Sequence, residues 1–329
     1  MAHAAEVLHS GGLVAFPTET VYGLGASIDR PDAVARIFTT KGRPATDPLI
    51  VHVADLDAAA GVVGDVPALA RALAEAFWPG PLTLVLPRGP RAGDDITAGG
   101  PGVGLRIPAH PVAQALLRAA AVPVAAPSAN RFGRISPTTA GDVVDELGGA
   151  LDPTRDMVLD GGPTPLGIES TVVDLTGGSP RVLRHGGVPW EDLVAVVGPV
   201  GHVEREVADE QDPSAGPGRF LRHYAPTTPL VLVEGDDAVA AELVRGLADR
   251  SLRASTLDLP GDPALAAPGL YAALRRADAS GADVLLAVPL QPTGLGRAVN
   301  DRLFRAAHGR VVTSAGPDAV DRVASLARP

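Results

Sequence analysis

Short apolar, β-rich runs recur along this chain at 13–16, 49–53, 82–86, 103–107, 122–126 and 170–175, each bounded on at least one side by Gly, Pro or Thr. Amphipathic stretches near 2–9, 31–38, 66–78 and 111–120 lie before or between them. Strand-length runs alternating with helix-length amphipathic stretches specify a sheet with helices packed on it, an α/β domain that ends near residue 200. The same alternation resumes at 229, with 284–288 the clearest later strand, and predicts a second, smaller α/β domain over 229–329. Between them, 201–228 reads as a linker. Its first part is acidic, with Glu204, Glu206, Asp209, Glu210 and Asp212, whereas Arg219-Phe220-Leu221-Arg222-His223-Tyr224 is too rich in Arg, His and Tyr for a mere spacer.

Composition narrows the chemistry. Aromatic residues are only 3% of the 329, so the cores must be built from Ala, Val and Leu. A net charge of -10 argues against a surface devoted to nucleic acid, and zero cysteines exclude disulfides, thiolate catalysis and Cys-type zinc sites. The N-terminus has no basic segment followed by an apolar core, and no run approaches a membrane span, so a cytoplasmic protein without a membrane role is expected.

Within that frame one segment stands out. Lys41 is the only lysine among 28 Lys and Arg residues. A chain that uses arginine almost everywhere keeps an ammonium where a compact, movable point charge must meet phosphate or carboxylate oxygens. The bland alternative is a surviving cation on a solvated helix end. Gly42 ends the preceding helix and Pro44 prevents its resumption, so Lys41 and Arg43 sit in an irregular turn. That turn leads into a strand containing His52, read either as a pocket residue or as a satisfied core histidine.

Other polar residues cluster at strand ends. A hydroxyl-dense turn spans 17–25, with Thr18 and Thr20. Arg106 interrupts an apolar strand and is expected either to point out of the core at an anion or to lie on a solvent face. Ser128 and Asn130 are separated by one residue, and Asn130 is one of only two asparagines. Ser136-Pro137 reads as a helix N-cap followed by proline, a ready anion site. Arg181 and Arg184 are expected on one face of a short strand. Gly294-Leu295-Gly296 lacks the third glycine of a phosphate loop and reads as a helix start. The chain has no P-loop, no His pair at metal-ligand spacing and no Gly-x-Ser-x-Gly elbow. Cations and hydroxyls on loops beside strands suit phosphoryl or nucleotidyl transfer, where catalysis is mostly positioning and charge stabilisation.

Lys41-x-Arg43 together with Ser128-x-Asn130 resembles the signature of the YrdC-domain family, whose two-domain members are L-threonylcarbamoyl-AMP synthases. The resemblance extends over Pro17-Thr18-Glu19-Thr20-Val21-Tyr22-Gly23-Leu24, Pro48-Leu49-Ile50-Val51-His52, Pro79-Gly80-Pro81-Leu82-Thr83, Val103-Gly104-Leu105-Arg106 and Glu169-Ser170-Thr171-Val172-Val173-Asp174, then Arg222-His223-Tyr224-Ala225-Pro226 and the late Gly-Leu-Gly helix. It implies a twisted mixed sheet in a YrdC-like domain, followed by a smaller Rossmann-like α/β domain. It also implies a reaction joining L-threonine, bicarbonate and ATP with Mg2+, and downstream proteins that pass the threonylcarbamoyl group to tRNA, so that any tRNA contact here is indirect.

By the same resemblance Thr20, His52, Arg106, the backbone of Ala126 and Ser170 form a threonine pocket. Arg43, Asp47, Ser128, Asn130, Ser136, Arg184 and Tyr224 lie on the nucleotide side, and Lys41 and Arg43 are catalytic. The linker is a lid carrying His223 and Tyr224. Three positions depart from the family pattern: Gly102 replaces a hydroxyl residue, His185 replaces a proline in a way expected to loosen Arg184, and Gly218-Arg219-Phe220-Leu221 differs from the common linker. Two rival readings are a non-catalytic double-stranded RNA or tRNA-binding module, and a carbamoyl-adenylate former using carbamoyl phosphate. The second normally carries zinc-finger segments that a chain without cysteine cannot supply.

Overall fold

The computed structural model describes residues 1–202, 221 and 223–327. Two compact units are present, Met1–Phe132 with Ser136–Arg219, and Gly133–Ile135 with Phe220–Pro329. Of the expected lid, residues 203–220 and 222 lie outside the described residues, and Gly218, Arg219, Phe220 and Arg222 with them.

The first unit contains strands β1 (Val14–Pro17), β2 (Tyr22–Ser27), β3 (Ile50–His52), β4 (Leu82–Pro87), β5 (Gly102–Arg106), β6 (Val124–Ala125), β7 (Met157–Val158), β8 (Thr171–Asp174), β9 (Arg181–Arg184) and β10 (Gly201–His202). Its helices are α1 (Ala2–His9), α2 (Pro31–Lys41), α3 (Ala68–Phe77), α4 (Asp94–Thr97), α5 (Pro111–Ala120), α6 (Ala140–Leu147) and α7 (Trp190–Val197). The sheet runs β10-β9-β8-β4-β5-β3-β6-β2-β1-β7 and is mixed, with β3–β5 and β4–β8 parallel and β4–β5 and β3–β6 antiparallel. Helices cover both faces. Val34 and Ile37 of α2, Leu73 of α3 and Leu147 of α6 pack on one, Leu8 of α1 and Leu116 of α5 on the other. These contacts are aliphatic, as the scarcity of aromatic side chains requires.

Several expectations need correction. The stretch after Pro17 is a turn only as far as Val21, because Tyr22–Ser27 pairs with β1. Its glycines imitate turn signals, but Gly25 is there for space: a Cβ would lie 2.8 Å from both Phe16 Cε1 and Val124 Cγ1. Arg181 and Arg184 do not share a face. Their spacing is odd, so the strand alternation leaves Arg181 exposed and Arg184 buried. Ser136 is not a helix cap. The cap of α6 is Thr139, whose hydroxyl accepts from the Asp142 amide while the Asp142 carboxylate accepts from the Thr139 amide. Gly201–His202, expected in the linker, pairs with β9.

The second unit alternates β11 (Leu230–Val233), α8 (Asp237–Ala248), β12 (Ala254–Thr256), α9 (Pro263–Asp278), β13 (Val284–Ala287), α10 (Gly296–Ala306), β14 (Val311–Val312) and α11 (Pro317–Ala324). Its sheet is parallel, in the order β12-β13-β11-β14. The Gly-Leu-Gly stretch does open α10, and a Cβ on Gly296 would collide with the Gln291 carbonyl. No helix among the described residues is long and apolar enough to cross a membrane.

Candidate active site

Lys41 is the last residue of α2, and Gly42 at φ 62° supplies the left-handed cap that ends the helix there. It is not on a solvated helix end, since only 3% of it is exposed. Its Nζ donates to the carbonyls of Ser128 (2.5 Å) and Asn130, and its own carbonyl accepts from the Phe132 amide at 2.7 Å. The lone lysine thus stitches the Ser128-x-Asn130 turn to the end of α2. Burial, with the neighbouring Arg43 charge added, pushes its pKa well below the ordinary lysine value. Of its three possible N–H bonds, the third has no acceptor among the described residues. The Ser128 hydroxyl, half-buried beside it, likewise has no partner among the described residues.

Arg43 is also buried and is held by the turn that follows it. Nε donates to the Asp47 carbonyl (3.1 Å), and Nη2 donates to the Pro48 carbonyl (2.8 Å) and pairs with Asp47 Oδ1 (2.9 Å). Asp47 is fully buried, so its immediate role is to fix Arg43. The Asn130 side chain donates to the Arg131 carbonyl at 2.8 Å.

A second cluster forms where β3, β5 and β6 lie side by side. His52 is in register with Arg106 on β5 and with Val124 on β6, and the Ala126 amide donates to the Ile50 carbonyl at 2.9 Å. Arg106 is 4% exposed, which removes the solvent-face reading. The anion it meets within the chain is Glu19, with Nη2 to Oε1 at 2.6 Å, while Nη1 donates to Thr20 Oγ1 (3.0 Å) and Nε to the Gly80 carbonyl (3.3 Å). A guanidinium has five N–H groups, so two, one on each terminal nitrogen, have no acceptor among the described residues. Thr20 is set by Thr18, their hydroxyls 2.7 Å apart, and Thr18 in turn bonds the Val21 carbonyl at 2.7 Å. Burial, reinforced by the Arg106 charge, lowers the His52 pKa from 6.5 to about 3 and keeps the ring neutral.

Ser170, just before β8, joins two strands. Its hydroxyl lies 2.8 Å from Thr83 Oγ1 on β4 and accepts from Arg184 Nη2 at 3.2 Å. Arg184 also grips the Ser170 carbonyl through Nε (3.2 Å) and Nη2 (3.0 Å), so His185 does not loosen it. Gly186 allows the approach, because a Cβ there would collide with backbone atoms of Glu169, Ser170 and Thr171. The Ser136 hydroxyl donates to Glu169 Oε1 at 2.6 Å. A Cβ on Gly102 would stand 2.8 Å from Val85 Cγ1 and 2.9 Å from Thr176 Cγ2, so a larger residue there requires these side chains to shift.

Tyr224 belongs to the second unit, where it is buried with φ 60°, stacked on Tyr271 at 5.7 Å and lying 5.3 Å below the Arg302 guanidinium. His223 packs against its ring edge at 4.1 Å. Sequence reasoning assigned no role to Glu19, Thr83 or Glu169. Glu19 and Glu169 lay inside quoted motifs, and a carboxylate one residue from an assigned hydroxyl was the signal available.

Residues 6–186 match the Sua5–YciO–YrdC family, described as "Telomere recombination", and residues 188–308 match the "Threonylcarbamoyl-AMP synthase, C-terminal domain". The threonylcarbamoyl-AMP synthase of Bacillus subtilis is 40% identical over 330 residues, covering 95% of this chain and 94% of its own. That of Pyrococcus abyssi is 39% identical over 324 residues, covering 94% of each. The crystal structure of P. abyssi Sua5 complexed with L-threonine superposes with a TM-score of 0.89 at 39% identity over 95% of both chains. A variant of the same protein, with a histidine and the tyrosine after it changed to alanine, gives 0.87 over 95% of this chain and 94% of that one. The chain belongs to the Sua5–YciO–YrdC family, in the two-domain form that carries the threonylcarbamoyl-AMP synthase C-terminal domain.

Proposed function

We infer that this chain is an L-threonylcarbamoyl-AMP synthase, joining L-threonine, bicarbonate and ATP into threonylcarbamoyl-AMP and pyrophosphate. The product serves the threonylcarbamoyladenosine modification of tRNA next to the anticodon, through separate transfer proteins in the cytoplasm. The observation that carries the reading is Arg106, a buried guanidinium flanked by Thr20 and His52 with two N–H groups left to take a carboxylate.

The threonine amine and bicarbonate condense to a carbamate with loss of water. A carbamate oxygen then forms a bond to the α-phosphorus of ATP as the bond to pyrophosphate breaks. Nucleophile and electrophile are both anionic, so the barrier is largely electrostatic repulsion. Lys41 and Arg43 supply the counter-charge, and phosphate oxygens beside Lys41 raise its depressed pKa again and return it to the ammonium form. The Ser128 hydroxyl and the third Lys41 N–H are the donors left for the nucleotide. Arg184 and Ser136 address the same ligand, and neutral His52 lines the threonine side without adding a cation to it. No group of three or more His, Asp or Glu side chains arranged to hold a metal occurs among the described residues. Magnesium would come with ATP, carried on its phosphates as part of the substrate, the usual mode for this ion.

Pyrophosphate release measured with and without L-threonine and bicarbonate tests the reading. Release that requires both and collapses in Lys41→Ala supports it. Release indifferent to threonine, or none, sinks it in favour of a nucleotide- or RNA-binding module.

A further inference from the structure

The inference below rests on the threonine reading of the Arg106 cluster and concerns a residue given no part in it. Glu19 sits at the centre of the short turn between β1 and β2. One carboxylate oxygen takes Arg106 Nη2 at 2.6 Å and the other takes the Ala109 amide at 2.9 Å. The side chain is 12% exposed and Arg106 4%, so the pair is shielded from water. The turn beneath it is rigid: Thr18 Oγ1 bonds the Val21 carbonyl and the amides of Thr20 and Val21, and the Glu19 carbonyl accepts from the Leu166 amide at 2.9 Å. Glu19 is therefore a fixed strut between this turn and the segment that follows Arg106.

We propose that Glu19 is a positioning residue for threonine recognition, aiming the Arg106 guanidinium so that its two remaining N–H groups face the amino-acid carboxylate. Arginine has a long side chain with several rotamers. Of the three contacts holding its head, the Gly80 carbonyl at 3.3 Å is long and Thr20 is a neutral hydroxyl, which leaves Glu19 as the charge-assisted anchor. Glu19 has a second effect. It neutralises Arg106 in the empty site, so that the cation is not buried alone before substrate arrives. A proton-accepting role for the threonine amine does not fit. Burial by itself would raise the Glu19 pKa, but the Arg106 charge and hydrogen bond reverse this, and the net shift is downward, which makes it a weaker base than an ordinary glutamate.

The test is isothermal titration of the full chain with L-threonine and, separately, with an ATP analogue, for wild type, Glu19→Gln and Glu19→Ala. Glutamine keeps an acceptor for Arg106 but loses the charge, and is expected to weaken threonine binding about tenfold, the scale of one charge-assisted bond. Alanine removes the anchor and is expected to weaken it further, while ATP-analogue affinity stays within about twofold of wild type for both variants. A merely structural strut predicts that both ligands suffer together. Parallel loss of both affinities, or threonine binding by Glu19→Gln equal to wild type, overturns the proposal. Should Glu19→Ala not fold, the near-isosteric Glu19→Gln decides alone. Wild type that binds no threonine overturns the underlying reading and the inference with it.

Discussion

His52 links the candidate threonine site to the pH dependence of folding. It lies 3% exposed at the end of β3, with its Nδ1 3.2 Å from the Ile50 carbonyl and its ring edge-on to Phe16 at 6.2 Å. Burial first, then the Arg106 charge, lower its pKa from 6.5 to about 3. Below the ordinary histidine value the unfolded chain takes up a proton that the folded chain does not, so stability is complete above that value and falls as the solution is acidified toward the folded value. Between about pH 7 and about pH 4.5 the difference in bound protons amounts to about 2.5 kcal/mol for this one ring. Glu19, whose pKa is lowered in the fold, also costs stability on acidification, but it is present in wild type and in His52→Gln alike. The assay is therefore a double difference. Urea unfolding at the two pH values is measured for both proteins, and the acid-induced loss in His52→Gln should be smaller than in wild type by about 2.5 kcal/mol. Equal losses would refute the argument, because they would mean that His52 is protonated in the fold as readily as in the unfolded chain.

Three further outcomes follow from local geometry. Gly186→Ala forces a Cβ into backbone atoms of Glu169, Ser170 and Thr171, which cannot rotate away, and should cost about 3 kcal/mol or more, read as a lowered melting temperature. Thr139→Ala removes half of the α6 capping box and should destabilise by about 1 kcal/mol in denaturant titration. Ser136→Ala should leave hydrogen-exchange protection of α6 intact, because Ser136 donates to Glu169 and does not cap the helix, whereas Thr139→Ala lowers it.

Much of the candidate site was legible because its residues are chemically out of place in their surroundings. A single lysine in an arginine-rich chain, an arginine inside an apolar strand and one of two asparagines two positions after a serine each mark a candidate by residue type alone. What was misread shows where local signals stop. Gly23 and Gly25 imitate a turn within β2, and Ser136-Pro137 imitates a cap three residues before Thr139. In β2 the pairing with β1 overrides the turn signal, whereas at α6 the local Thr139–Asp142 capping box, a fuller signal than Ser136-Pro137, sets the helix start. Arg181 and Arg184 differ in kind, since simple strand alternation already separates their faces.

The sequence by itself determined the alternation of strands and helices, the aliphatic character of the cores and the residue types available for charge stabilisation, because these depend on neighbours a few positions apart. Tertiary structure decided the partners. His52 and Arg106 become neighbours because β3 pairs with β5, and Thr83 meets Ser170 because β4 pairs with β8. Lys41 is buried only because the Ser128–Phe132 turn crosses the end of α2. Strand order across this sheet departs from chain order, and no short-range propensity encodes which distant strands share hydrogen bonds. That choice comes from burying both faces of the whole sheet at once, and it turns scattered cations and hydroxyls into sites.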